Sequence, residues 1–192
     1  MIIKKRDGTK VPFHKQKVIG EEMYAKIHEM RSRIIQSPTF SSGKVIGAIL
    51  FERTMDGEAN GKPVPALLWE RGVVPFIKVD KGLEDEADGV QLMKANPTLD
   101  DLCARSVAKG VFGTKMRSVV NLANGAGIKA IVEQQFAEAA RIASHGLVPM
   151  IEPEVNIKSV ERDAADRLLL AQLLAALEAW TGAPVMLKLS LP

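Results

Sequence analysis

The sequence predicts an α/β fold built on a parallel sheet, and three observations carry the prediction. Short apolar runs recur at residues 45–51, 73–79, 110–116, 147–151 and 185–189. Segments of helical periodicity separate them, at about residues 64–69, 99–108, 128–144 and 160–180. Strands alternating with helices through short connections specify βα units, whose parallel strands are covered on both faces and read as nearly unbroken apolar runs. Finally, Lys78, Lys115, Glu152 and Lys188 stand at or just past the carboxyl ends of successive runs, at intervals of 37, 37 and 36 residues. A constant step of that size is one βα unit, so the four side chains take equivalent places, which in a parallel barrel converge on the carboxyl-end face where active sites lie.

Taken in order, residues 1–19 form a short basic leader. Residues 2–6 and 10–13 flank Asp7-Gly8, the pattern of a hairpin with an Asp-Gly turn. The run Lys5-Arg6-Asp7-Gly8-Thr9, with Val11-Pro12-Phe13 and the lysines at 15 and 17, resembles the opening of the ATP-cone regulatory domain of ribonucleotide reductases, and only that opening is present. A single α/β domain, which the resemblance given below makes a partial barrel, is expected over residues 20–192. An amphipathic helix is predicted over residues 21–35, with Met23, Ile27, Met30 and Ile34 as its inward stripe and an end near Ser37-Pro38. The first apolar run, 45–51, is predicted to be a strand covered on both faces. Thr98 with Asp101 forms a capping-box-like start for the helix at 99–108, and Ser159 precedes the long Leu/Ala-rich helix at 160–180. Asn124-Gly125-Ala126-Gly127 reads as a turn leading into the helix at 128–144.

Composition narrows the function classes. The 192 residues are 46% hydrophobic, with a formal net charge of +3 and a pI near 9.0. That length buries a sizeable core. The basic excess is small and scattered, which argues against nucleic acid and leaves anionic small molecules as ligands. No apolar run reaches the 18 residues of a membrane span and Met1 opens no secretory signal, so a cytoplasmic location is expected, without a membrane partner. The one cysteine, Cys103, suits a reducing compartment and falls on a helical face with Leu99, Leu102 and Val107, as a core residue does. His14, His28 and His145 are scattered without ligand spacing and are read as surface residues, so no metal site is expected. Neither a Walker-type phosphate loop nor a GxSxG elbow is present.

Lys188 is the residue that most needs a reason, because burying a free ammonium in a strand costs several kcal/mol unless it is paired or has a chemical task. One such task is Schiff-base catalysis, in which a desolvated amine attacks a carbonyl. The alternative is a set of salt bridges lining the barrel mouth. Ile77-Lys78-Val79-Asp80-Lys81-Gly82, Gly113-Thr114-Lys115-Met116-Arg117-Ser118, Val148-Pro149-Met150-Ile151-Glu152-Pro153-Glu154 and Leu187-Lys188-Leu189 resemble successive strand motifs of class I fructose-1,6-bisphosphate aldolase, in its bacterial branch. The run from Gly47 to Met55 resembles the second strand of the same family, and the similarity extends from about residue 23 to 192.

The resemblance implies an incomplete TIM (β/α)8 barrel of about five βα units, the family's second to sixth strands. It implies Lys188 as Schiff-base nucleophile and Glu152 as general acid and base. Lys115 would favour the nucleophilic amine and stabilise developing oxyanions. Lys78 and Arg117 would contact substrate hydroxyls and a phosphate, and Glu154 would orient the lysines. No cofactor is implied, because the iminium is itself the electron sink. The substrate would be a phosphorylated sugar. The family's first strand, with a catalytic aspartate, and its seventh and eighth, with phosphate-binding groups, have no counterpart here. Impaired cleavage and an open sheet inviting a homo-oligomer or a complementing chain are therefore expected. The competing expectations are a non-catalytic barrel fragment acting as an interaction module, and a different Schiff-base lyase of deoxyribose-phosphate or transaldolase type.

Overall fold

The structure, a computed structural model, describes residues 2–4, 10–12 and 20–191. β1 (Ile2–Lys4) pairs antiparallel with β2 (Lys10–Pro12), the hairpin expected of the leader; its Asp-Gly turn, Phe13, His14 and the lysines at 15 and 17 lie outside the described residues. α1 (Gly20–Gln36) follows, then β3 (Gly47–Leu50), α2 (Glu52–Asp56) and a small hairpin of β4 (Glu58–Ala59) and β5 (Lys62–Pro63). α3 (Val64–Glu70), β6 (Val74–Lys78), β7 (Val90–Gln91), α4 (Leu99–Ala108), β8 (Gly113–Val120), α5 (Gly125–Ser144), β9 (Val148–Val155), α6 (Arg162–Ala179) and β10 (Met186–Leu187) complete the chain.

Five strands form one parallel sheet in the order β3-β6-β8-β9-β10, with β7 added antiparallel to the far end of β8. Spatial order follows chain order, each crossover carries a helix, and the terminal strands β3 and β10 do not meet. This is a barrel wall left open, as expected. The central strands are the buried ones. Thr114, Met116, Ser118, Val120, Ile151 and Val155 are sealed, because α4, α5 and α6 cover that side of the sheet. Alternate residues point to the opposite, inner face.

The strand bounds depart from the sequence reading in an informative way. β8 begins three residues later than expected and β9 runs four residues further, so Lys115 and Glu152 lie inside their strands rather than at the ends. The sequence marked only the apolar parts; the charged residues beyond them continue the ladder because they face inward, toward one another. The strand expected at 45–51 is not covered on both faces. β3 is an edge strand on which Leu50 is buried against the helix side while Gly47 and Ile49 are exposed on the open inner face.

The helices show similar corrections. In α1, Met30 and Ile34 of the expected inward stripe face outward, and Ser32 and Ile35 are the buried pair, since the helix docks on α2 and β4 through its other side. In α4, Cys103 is sealed with Leu99 and Leu102, but Ser106 and not Val107 completes that face. Thr98 forms no side-chain cap; its hydroxyl and N–H both turn back to Asn96 Oδ1. α6 starts two residues after its expected start, with Glu161 at the cap position, while Ser159 donates to the Asn121 carbonyl. Asn124 does cap α5, accepting the N–H groups of Ala126 and Gly127 at 3.0 Å each.

Candidate active site

Strand register places the chemistry-bearing side chains. Lys78 is opposite Lys115, Arg117 opposite Glu152, and Leu187 opposite Ile151, which sets Lys188 beside Glu152; the Lys188 N–H donates to the Ile151 carbonyl at 2.9 Å. By the two-residue alternation of strands, Lys78, Lys115, Arg117, Glu152, Glu154 and Lys188 all share the inner face. The ladder keeps register from Lys78 to Lys115 and from Glu152 to Lys188, but not from Lys115 to Glu152. Lys115 faces Met150, and Glu152 lies two residues beyond it. Strand stagger in a barrel wall makes up the difference and brings Glu152 within reach of both lysines.

Glu152 is the centre of the cluster. It is only 3% exposed and Lys115 only 8%, whereas the Lys188 side chain is 48% exposed. The Lys188 ammonium donates to Glu152 Oε1, and the Lys115 ammonium is ion-paired with Oε2. Oε2 accepts no directed hydrogen bond, so the Lys115 contact is ionic in character. Two ammonium groups on one buried carboxylate leave a local excess of positive charge in a partly water-excluded place, a setting that favours an anionic ligand. From the outer side, the sealed Gln135 of α5 accepts the backbone N–H of Glu152 through its side-chain oxygen at 2.9 Å, tying the strand to the helix behind it.

The remaining inner-face charges pair among themselves. Arg117 forks onto Glu154, with Nε to Oε2 at 2.6 Å and Nη2 to Oε1 at 3.1 Å. That guanidinium holds the Glu154 carboxyl below the usual carboxylate range, against the opposing effect of burial, and Lys188 and Lys115 add to the lowering; Arg117 is raised in turn. Lys78 does not join Glu152. Its ammonium is bound by the Asp80 carboxylate and, at 3.0 Å, by the Asp80 carbonyl, and it lies 5.9 Å from the centre of the Phe51 ring. The expected residues thus form a triad of Lys115, Glu152 and Lys188, an adjoining Arg117–Glu154 pair, and a separate Lys78–Asp80 pair.

Two residues of this surface were not singled out from sequence. Asp80, nearly sealed, and Ser190, whose hydroxyl donates to the Val155 carbonyl at 3.0 Å, stand with Arg117 and Glu154 in a second ladder of 37, 37 and 36 residues, two positions beyond the first. The same periodic count would have found them. Gln135 has no such signal, since an amide within a helical repeat shows nothing of the strand it will meet.

Elsewhere, burial pushes the Cys103 thiol up to about 11, in keeping with a core residue. His28 and His145 are half-buried rather than surface residues, at hydrogen-bond distance from the Glu58 carbonyl (2.9 Å) and Asp100 Oδ1 (3.0 Å) respectively. Among the described residues no group of three or more His, Cys, Asp or Glu side chains gathers as metal ligands do, and no helix is long and apolar enough to cross a membrane.

Comparison with known proteins agrees with the strand motifs. The family described as "Glycolytic: Fructose-bisphosphate aldolase class-I" matches through residues 13–177. The fructose-bisphosphate aldolase class 1 of Porphyromonas gingivalis is 57% identical over 173 residues, which is 90% of this chain and 59% of that protein. This chain therefore spans well under two thirds of that relative's length. Among solved structures, fructose-bisphosphate aldolase from Plasmodium falciparum, in a ternary co-crystal with TRAP and a small-molecule inhibitor, matches with a TM-score of 0.69 at 24% identity, over 84% of this chain and 51% of that one. At that identity the likeness speaks for the barrel fold alone. With the family matched over most of the chain and the relative aligned across nine tenths of it, this chain belongs to the class I fructose-bisphosphate aldolase family.

Proposed function

We propose that residues 20–192 carry the Schiff-base chemistry of a fructose-bisphosphate aldolase, the reversible cleavage of fructose 1,6-bisphosphate to dihydroxyacetone phosphate and glyceraldehyde 3-phosphate, in glycolysis or gluconeogenesis in the cytoplasm. The observation that carries this reading is the shared carboxylate: Glu152 touches both Lys115 and Lys188, one sealed and one facing open space. Glu152 takes a proton from the Lys188 ammonium, and the freed amine attacks the ketone carbon to give a carbinolamine. Glu152 delivers the proton with which the hydroxyl leaves as water, forming the iminium. Glu152, now a carboxylate, takes the proton of the C4 hydroxyl as the C3–C4 bond breaks; its electrons pass to the iminium and leave an enamine on Lys188. Protonation of the enamine and hydrolysis then release the ketose phosphate. Lys115 stabilises the oxygen anions that develop, Arg117 and Lys78 bind hydroxyl and phosphate oxygens, and Glu154 keeps Arg117 aimed.

A second reading, a barrel wall that binds a partner without turnover, draws on the half-exposed Lys188 and on the exposed Phe51 and Met186 of the inner face. An amine open to water keeps its hydration and loses the advantage of a closed site. One experiment separates the two: incubation with dihydroxyacetone phosphate, reduction with borohydride and peptide mapping by mass spectrometry. The aldolase reading expects a reduced adduct on Lys188 that disappears in Lys188→Arg. A folded chain that forms no adduct sinks it.

A further inference from the structure

Lys78 stands outside the triad, although strand register sets it opposite Lys115 on the inner face. Both oxygens of Glu152 are already taken, by Lys115 and Lys188, so a third ammonium there would meet two like charges with no acceptor left. Asp80 takes it instead. It offers Lys78 both its carboxylate and, at 3.0 Å, its carbonyl, and its Oδ1 also accepts the Gly82 N–H at 3.4 Å. The Asp80 side chain is only 4% exposed, and that of Lys78 25%. The clasp is therefore a nearly sealed carboxylate holding an ammonium that still reaches open space.

A partner so near in the chain acts at high effective concentration, so a free anion of the same charge does not displace it. A phosphate dianion does. At equal distance it attracts an ammonium about twice as strongly as a carboxylate does, and it brings several acceptor oxygens to a face where Lys78, Lys115, Lys188 and Arg117 outnumber Asp80, Glu152 and Glu154. Withdrawing Lys78 would leave a buried carboxylate uncompensated, which is strongly destabilising unless another group replaces the ammonium. The surroundings of Asp80 supply that replacement. Its Oδ2 has no hydrogen-bond partner among the described residues, and the side chain lines a cavity of about 30 Å³, room for one or two waters, in which Lys94 is the one lining cation. The Lys94 N–H donates to the Gly82 carbonyl at 3.0 Å, which sets that lysine beside the Asp80 turn. We propose that Asp80 is a specificity-determining residue: it keeps Lys78 as a latent anion site that opens to the phosphate dianion of a sugar phosphate and stays shut to a carboxylate. Lys94 and water in the cavity take over the Asp80 charge when Lys78 moves. The sugar phosphate as source of the dianion rests on the aldolase reading; the exchange of partners at Lys78 does not.

The test is an NMR titration of the lysine ε-methylene signals of the full chain at a pH of about 8, where phosphate is a dianion because its second pKa is about 6. The Lys78 signal is assigned by its loss in Lys78→Met, and the probes are glycerol phosphate, inorganic phosphate and acetate. In wild type both phosphates are expected to shift the Lys78 signal, the ester at the lower concentration because its hydroxyls add contacts, and acetate to leave it in place. Asp80→Asn, shown to be folded by circular dichroism, is expected to bind phosphate about tenfold more tightly and to admit acetate as well, whereas loss of a merely structural residue would weaken both. Four outcomes overturn the proposal: acetate moving the wild-type Lys78 signal as readily as phosphate, phosphate leaving it unmoved, inorganic phosphate binding more tightly than the ester, which would give the site to the free ion, or a folded Asp80→Asn that binds phosphate no more tightly than wild type. The first three need only the wild type, so they decide even where Asp80→Asn does not fold. None of them reads the adduct on Lys188, so the aldolase reading stands or falls separately.

Discussion

At the scale of single residues, the fork of Arg117 on Glu154 carries a pH signature. Because the Glu154 carboxyl is held below its usual range in the folded chain, its contribution to stability is fully present above the ordinary glutamate value of about 4.3 and fades as pH falls through the lower folded value. Thermal melts of wild type and Glu154→Gln are therefore expected to differ near neutrality and to converge in acid. A constant difference across that range would show that the pair contributes nothing through ionisation. Both side chains are about one-third exposed, which keeps the effect small. Residue identities on the inner face were readable from sequence because charged side chains interrupt apolar runs at a fixed interval. Their partners were not: that Lys78 turns to Asp80 while Lys115 and Lys188 share Glu152 depends on strand stagger, which spacing alone does not encode.

At the scale of elements, β8 is the most constrained strand. A Cβ added at Gly113 would come 2.3 Å from the Val148 carbonyl oxygen and 3.1 Å from the Phe76 ring, so only glycine allows β6, β8 and β9 to close up at this level. Gly113→Ala is expected to lower stability by about 1–3 kcal/mol, measured by chemical denaturation, whereas Gly43→Ala, with open space around it, should stay within about 0.5 kcal/mol of wild type. Equal effects at the two sites would refute the packing account. The existence and order of the helices and parallel strands were legible in the alternation of periods. Their faces were less so, because a stripe such as Met23, Ile27, Met30 and Ile34 fixes an amphipathic helix without fixing what docks on it; Ser32 and Ile35 took the buried side of α1. Cap positions failed for a related reason. Thr98 and Ser159 carry capping chemistry, yet Asn96 and the Asn121 carbonyl compete for their hydrogen bonds and win.

For the molecule as a whole, stability is distributed unevenly across the sheet. β8 and β9 pair over eight rungs between two neighbours each, while β3 and β10 each have one neighbour and β10 only two rungs. Hydrogen exchange is expected to follow that gradient, with the Met116 and Met150 amides of the β8–β9 ladder slowest and those of Ile49 and Leu187 faster by orders of magnitude. Uniform protection would mean that the edges are covered by something other than the described residues. The sequence conveyed the parallel sheet and its open wall through the count of apolar runs; it carried no mark of the unequal rung numbers, because rung number depends on how far each strand extends past its apolar core.

Two adjacent amides on α5 face opposite tasks. Gln135 holds the Glu152 strand, and Gln134 clamps the backbone of Met93 from both sides, accepting its N–H and donating to its carbonyl at 2.9 Å each. Both depend on the rotational phase of one helix started by the Asn124 cap. Inserting or deleting a single residue between the cap and Gln134 would turn both amides by about 100°, releasing the loop before α4 and the strand of the candidate base together. Substitutions along the solvent side of α5 leave that phase untouched. The solvent side of this helix can therefore vary in composition, but its length between residues 124 and 134 behaves as a fixed reading frame.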